Sequence, residues 1–274
     1  MRTDELSVLR EEAYRVRRRI LRMATECGGS AHIGGSLSMA DMLTVLYRRC
    51  MRFDPANPAS EDRDFFILSK GHCVLAFYAV LAECGLIPEE LLSTFQRDGS
   101  LLSAHPVMNV ALGIESSNGS LGQGISLAVG LAKAFRMRGR DNRVYTLIGN
   151  GEANEGSVWE AAMAAGQWRL DNLTVIMDNN GMQSDGASGD ILGGDMARRW
   201  DAFGFDVREI DGNDIEAVCA AFGAGSEGRP RVIIGNTVKG CGVSFMEGNN
   251  DWHHNRLTRG TWEDAMRELE ARYA

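Results

Sequence analysis

Apolar residues recur every three or four positions from Leu6 to about Glu26 (Leu6, Leu9, Ala13, Val16, Ile20, Met23), a spacing that predicts a helix with one buried face. Cys27-Gly28-Gly29-Ser30 should stop it, and a Gly-rich loop, Ala31 to Ser36, follows. Ser38 then reads as the N-cap of a helix running to about Cys50. Arg63 to Leu68 has the look of a short buried strand, and Ser69-Lys70-Gly71-His72 opens a helix to about Cys84. A short helix from about Pro88 leads to a loop, Ser103 to Asn118, and Ser120 to Gly124 opens a long helix to about Met137. Strands and helices then alternate: strand 144–148, helix 155–168, strand 173–177, helix 195–203, strand 205–210, helix 214–222 and strand 231–234. A terminal helix spans about Trp262 to Tyr273, with Thr261 as its expected N-cap. Strands that are apolar throughout are buried on both faces, so the expected fold is α/β: a parallel sheet with helices on both faces. With no repeat and no linker, residues 1–274 read as one domain.

Composition narrows the functions. The net charge of −8 argues against nucleic acid, which needs a broad basic face. Arg15, Arg17, Arg18, Arg19 and Arg22 cluster, but Glu5, Glu11, Glu12 and Glu26 surround them, which predicts a solvated helix face. The charged start, Met1 to Glu5, lacks an apolar segment behind it, and no run of about 18 apolar residues occurs. Neither a secretory signal nor a membrane span is expected. Six cysteines without CxxC spacing read as reduced thiols of a cytoplasmic protein.

The chemistry is expected where strands turn into helices. Strand 144–148 ends in Gly149-Asn150-Gly151-Glu152, whose glycines let backbone amides approach an anion. The next strand ends in Asp178-Asn179-Asn180-Gly181. Asn150 and Asn180 thus offer oxygen ligands from paired strand ends, which suits Mg²⁺ bound with phosphate oxygens.

The stretch Gly149 to Gly181 resembles the thiamine-diphosphate motif. Nearly the whole chain resembles the N-terminal, diphosphate-binding region of transketolases. The matching pieces are Ala31-His32-Ile33-Gly34-Gly35, Ser69-Lys70-Gly71-His72, Ser103-Ala104-His105-Pro106, Gly119 to Gly124 and Trp252-His253-His254. The resemblance implies a thiamine-diphosphate-binding fold and a metal (Mg²⁺, with Ca²⁺ or Mn²⁺ as substitutes) held by Asn150, Asn180 and the Met182 carbonyl. It implies that His72, Gly149, Gly151, Glu152, Asn180 and His253 meet the cofactor, and that Ser120, Leu121 and Gly122 face its aminopyrimidine ring. His32, His105 and His253 become the imidazoles that bind sugar hydroxyls, stabilise oxyanions and move protons. Glu155 resembles a carboxylate at an interface between subunits. Lys70 has two readings: a cation neutralising diphosphate, or a solvated cap on the sheet edge.

Two departures matter. The pyrimidine-binding half of such enzymes, with its essential Glu, is not found in these residues, so a partner chain is implied, arranged as α₂β₂. Asn150 stands where the family has Asp. A unit charge at about 4 Å is worth ~4 kcal/mol at an effective dielectric of ~20, before desolvation, so weaker metal binding is expected. The activity implied is transfer of a two-carbon ketol unit from a phosphorylated ketose to an aldose. A non-catalytic cofactor-binding paralogue, and one chain of a related synthase or 2-oxo acid dehydrogenase, are the alternatives.

Overall fold

The computed structural model describes residues 3–223 and 228–273; Met1 and Arg2 of the charged N-terminal stretch, and Ala274, lie outside them. In chain order the elements are α1 (Thr3–Glu26), α2 (Gly34–Ser38), α3 (Ala40–Val45), β1 (Phe65–Leu68), α4 (Val74–Glu83), α5 (Glu89–Leu92), α6 (Gln123–Met137), β2 (Val144–Gly149), α7 (Gly156–Gln167) and β3 (Leu173–Asn179). There follow β4 (Met182–Gln183), β5 (Gly186–Ala187), α8 (Ser188–Leu192), α9 (Met196–Ala202), β6 (Asp206–Asp211), α10 (Ile215–Gly223), β7 (Arg231–Asn236) and α11 (Arg259–Tyr273).

Five strands form one parallel sheet in the order β1-β2-β3-β7-β6. Alternation along each strand sends side chains to two separate cores. Phe66, Leu68, Tyr145, Leu147 and Ile176 pack with α1, α3 and α4 on one face. Ile67, Ile148, Val175, Met177, Val232 and Ile234 pack with α6, α7 and Trp200 of α9 on the other. The sheet is therefore covered on both faces, as the uninterrupted apolar strands require. Because every strand runs the same way, the C-terminal ends of β1, β2, β3 and β7 open on one edge, and their loops meet there. None of the described helices is long and apolar enough to cross a membrane, and all six cysteines are free, four of them buried.

Several expectations need correction. The helix expected from Ser38 to Cys50 is three pieces: α2, α3 and a π-helical turn over Leu46–Cys50. Ser38 does not cap it; it ends α2, buried, with its hydroxyl donating to Asp178 Oδ2 at 2.6 Å. A buried hydroxyl seeks a strong acceptor, and this carboxylate outcompetes the local backbone. Thr261 lies inside α11, and Thr258 takes the cap. The Thr258 N–H donates to Thr261 Oγ1 at 3.0 Å and the Thr261 N–H to Thr258 Oγ1 at 3.3 Å, a reciprocal capping box. The basic face of α1 is not wholly solvated. Arg17 is fully buried and its guanidinium forks onto Asp41 of α3. Residues 182–192, with no periodicity to reveal them, form the β4–β5 hairpin and α8.

Helix α7 approaches the end of α9 closely. A Cβ on Gly166 would lie 1.9 Å from the Phe203 carbonyl oxygen, so only Gly fits. Gly166→Ala should destabilise the fold by about 1–3 kcal/mol or more through overpacking. A lowered urea midpoint at unchanged slope is the expected result, and an unchanged midpoint would contradict this packing.

Candidate cofactor site

A cleft of about 510 Å³ opens at the shared C-terminal edge of the sheet. The loops after β1, β2, β3 and β7 each send a residue into it: Lys70, Asn150, Asn180 and Lys239. The Gly-rich segment before α2 adds His32 and Gly35, and α8 closes one side with Ile191 and Leu192.

Behind the cleft lies Asp178, fully buried at the end of β3. Its carboxylate accepts from Lys70 Nζ, Ser38 Oγ, Thr237 Oγ1 and Asn180 Nδ2, the last at 3.0 Å. One anion thereby ties the loops after β1, β3 and β7 to α2. Lys70 also donates to the Gly35 carbonyl at 3.0 Å. Burial works against the Lys70 charge, but Asp178 outweighs it and the ammonium pKa is raised. The reading of Lys70 as a solvated cation on the sheet edge is overturned, since its side chain is 2% exposed.

Glu152 performs a similar job after β2. It is buried, and its oxygens accept from Ser69 Oγ at 2.5 Å and from the backbone N–H groups of Gly122 at 2.8 Å and Gly149 at 3.1 Å. Burial raises its pKa against these bonds. Gly122 has φ +80°, and a Cβ there would meet Glu155 Cβ at 2.9 Å, so the turn opening α6 needs glycine.

Asn150, Asn180 and Met182 converge. Asn180 Oδ1 accepts from the Met182 N–H at 3.1 Å, and Asn150 Nδ2 donates to the Met182 carbonyl at 3.2 Å and to Ser188 Oγ. With the Asn150 amide flipped over, its oxygen would join the Asn180 side-chain oxygen and the Met182 carbonyl as a set of neutral oxygens, a donor type that suits a hard divalent cation. No carboxylate belongs to that set. Among the described residues no three His, Cys, Asp or Glu side chains are placed to hold a metal.

The anion-binding chemistry is richer. Lys239 is 2% exposed, with Nζ 2.7 Å from Asn250 Oδ1 and 3.0 Å from His253 Nδ1, but among the described residues it has no carboxylate partner, and burial lowers its pKa to about 8. Gln183 Nε2, also in the cleft, is a buried donor without an acceptor among the described residues. An unpaired buried cation and an orphaned donor beside the Gly149–Gly151 turn fit a polyanion such as a diphosphate.

All five histidines gather at this edge. From the ring centroid of His32, His254 lies at 4.4 Å, His72 at 4.9 Å, His253 at 5.3 Å and His105 at 6.3 Å. Burial, reinforced by the other imidazoles, pushes His32 down to about 3; burial, with Lys70 and Lys239 nearby, pushes His72 and His253 down to about 4; His105 is lowered by burial and by His72. These rings are neutral at pH 7 and can each donate one hydrogen bond and accept another.

Residues 11–270 match the family described as "Transketolase, thiamine diphosphate binding domain". The chain belongs to the transketolase family. It is 42% identical to an apulose-4-phosphate transketolase subunit of Actinobacillus succinogenes over 96% of both chains. It is 45% identical to the 6-deoxy-6-sulfo-D-fructose transketolase subunit SqwG of a Clostridium species, over 88% of this chain and 89% of that one. The transketolase from Leishmania mexicana superposes with a TM-score of 0.86 at 30% identity, covering 97% of this chain and 41% of that one. The chain therefore spans about two-fifths of the solved transketolase it matches.

Of the site residues expected from sequence, this transketolase chain gathers His32, His72, Leu121, Gly149, Asn150, Gly151, Glu152, Asn180, Met182 and His253 around the cleft. His105 stands further out, exposed beside Gly119. Ser120 is exposed and Gly122 is buried behind the wall. Sequence reasoning missed Lys239, Gln183, Ile191 and Leu192. Lys239 carried a usable signal, since it lies just beyond a predicted strand whose neighbours already supplied site residues. The others sit in the 182–192 segment, which has no pattern of its own.

The lowered histidine pKa values set a pH dependence. Unfolded imidazoles take up protons near pH 6.5 while His32, His72 and His253 stay neutral to about 3–4, so the unfolded state binds more protons in between. Stability should be intact above pH 6.5 and fall as the pH drops from about 6.5 toward 4. His72→Gln should flatten that fall in denaturant titrations, and an unaltered slope would contradict the burial of this imidazole.

Proposed function

We propose that the chain is the diphosphate-binding subunit of a two-chain transketolase, moving a two-carbon ketol unit from a ketose to an aldose. The observation that carries this reading is one cleft in which unpaired Lys239 and the Gly149–Gly151 turn lie beside a row of neutral imidazoles. Thiamine diphosphate, when bound, supplies the nucleophilic carbon and electron sink that ketol transfer requires. Lys239, Gln183 and the amides of the Gly149–Gly151 turn would hold its diphosphate, with Lys70 adding positive potential from behind. Asn150, Asn180 and the Met182 carbonyl would hold Mg²⁺, which would help neutralise the diphosphate. His32, His105 and His253 orient sugar hydroxyls, donate to developing oxyanions and relay protons.

The relatives named as subunits support a partner chain, which supplies the pyrimidine-binding half. Self-association fits the outer face of α6 and α7, where Leu127 and Met163 are exposed beside Gly130 and Glu155. An α₂β₂ assembly joined through that face is our reading; sedimentation of the mixed chains as a one-to-one heterodimer would contradict it.

The neutral metal ligands make a specific demand. The two-chain complex should bind thiamine diphosphate saturably and depend on Mg²⁺, and Asn150→Asp should tighten Mg²⁺ at least about tenfold by restoring a charge. Lys239→Met should weaken cofactor binding with or without metal. Calorimetric titration reads all three. Equal Mg²⁺ affinity in Asn150→Asp would remove Asn150 from the metal site, cofactor retained without ketol transfer would favour a non-catalytic paralogue, and absence of cofactor binding by both forms would contradict the cofactor reading itself.

A further inference from the structure

Two of the chain's three lysines line the cleft, and their surroundings set them to different chemistry. Against the cost of burial, Asp178 holds Lys70 as an ammonium, which has no electron pair to offer. Lys239 is equally buried, but among the described residues it meets no carboxylate. Its Nζ lies 2.7 Å from Asn250 Oδ1, 3.0 Å from His253 Nδ1 and 3.5 Å from the Gln183 carbonyl. The third, Lys133, sits on α6 over the Trp168 ring, outside the cleft lining.

The backbone fixes where the Lys239 amine stands. The Gly248 N–H donates to the Lys239 carbonyl at 2.9 Å, and the Gly240 N–H to the Gly34 carbonyl at 2.9 Å, so the lysine stem lies across the Gly-rich segment before α2. Burial and the Lys70 charge lower its pKa to about 8, although Cys73 and Asp178 act in the other direction. Roughly a tenth of the amine is then neutral at pH 7, against ~1 part in 2,500 for an ordinary lysine. His253 is neutral at this pH, and its Nδ1 is within reach to take a proton from the Lys239 nitrogen and return it. A buried amine without a counter-charge, beside a proton carrier, is an activated nucleophile for carbonyl compounds.

We infer that in a complex empty of cofactor Lys239 captures short hydroxyaldehydes as a reversible imine, so that aldehyde and diphosphate compete for this one amine. The inference rests on the transketolase reading for the class of visitor, since aldoses enter this cleft as acceptors. The neutral Nζ attacks the carbonyl carbon and its electron pair becomes the C–N bond. The carbonyl oxygen becomes a hydroxyl, taking a nitrogen proton by way of His253. That hydroxyl then leaves as water with the second nitrogen proton, and the C=N bond forms. Amine and aldehyde thus give imine and water, with no oxidant or reductant. A diphosphate seated on Lys239 favours the ammonium and removes the electron pair, so a loaded complex is protected.

The test treats the two-chain complex, purified without thiamine diphosphate, with glycolaldehyde at pH 7. Cyanoborohydride reduces any imine to a stable secondary amine, and peptide mass spectrometry locates it. Lys239 should carry at least about ten times the label of Lys70 or Lys133, and thiamine diphosphate with Mg²⁺ should lower that label at least about tenfold. With the reductant left out, desalting should return the unlabelled mass. Lys239→Arg, which keeps a cation but cannot form the imine, should lose this adduct while the other two lysines label as before. Label on Lys133 equal to that on Lys239, or label on Lys239 undiminished where calorimetry shows the cofactor bound, would overturn the inference and leave the transketolase reading intact. A cofactor-loaded complex that transfers no ketol unit to any aldose would overturn the transketolase reading, whatever the labelling.

Discussion

The buried pair of Lys70 and Asp178 is the interaction on which the rest of the site depends. A parallel sheet brings strand ends to one edge, but it does not fix the loops that follow them. Asp178 does so by accepting from Lys70 after β1, Thr237 after β7, Asn180 beyond β3 and Ser38 of α2. Four donors on one carboxylate leave neither charge nor polar groups unsatisfied, the condition under which a buried ion pair is tolerable. Losing one partner of such a pair typically costs about 3–5 kcal/mol, because the other charge stays buried alone. Asp178 acts as a positioning residue, since the groups it holds are those that face the cleft.

The charge logic of the cleft follows. Lys70 is neutralised from behind, Glu152 is bonded to Ser69 and two backbone amides, and the metal-facing oxygens of Asn150, Asn180 and Met182 are uncharged. Lys239 alone among these groups keeps a positive charge without a carboxylate. The buried imidazoles next to it are neutral at pH 7, so they do not compete with it for an anion and remain able both to give and to take protons. Anion binding and proton handling are therefore divided between neighbouring groups of one wall.

Much of this was legible in the sequence. The apolar strands and the 3.6-residue pattern of α1 specify a sheet covered on both faces, and Gly149-Asn150-Gly151 paired with Asn180 marks the edge where the cleft opens. What escaped was non-local. Ser38 looked like a cap because its true partner, Asp178, is 140 residues away. Arg17 looked solvated because Asp41 lies on another helix. The 182–192 segment carries Gln183, Ile191 and Leu192 into the cleft without periodicity, since a short hairpin and one helical turn leave no repeat to detect. The histidines were found because five imidazoles at one edge were signalled by the motifs around four of them; the lowered pKa values of His32, His72, His105 and His253 come chiefly from burial and were not visible in the chain.

The most direct test is a structure of the two-chain complex with thiamine diphosphate and Mg²⁺. The account predicts diphosphate oxygens against Lys239 and the Gly149–Gly151 turn, and a metal held by Asn150 Oδ1, Asn180 Oδ1 and the Met182 carbonyl with the Asn150 amide turned from its present bond. A diphosphate seated away from Lys239, or a metal bound without Asn150, would contradict it.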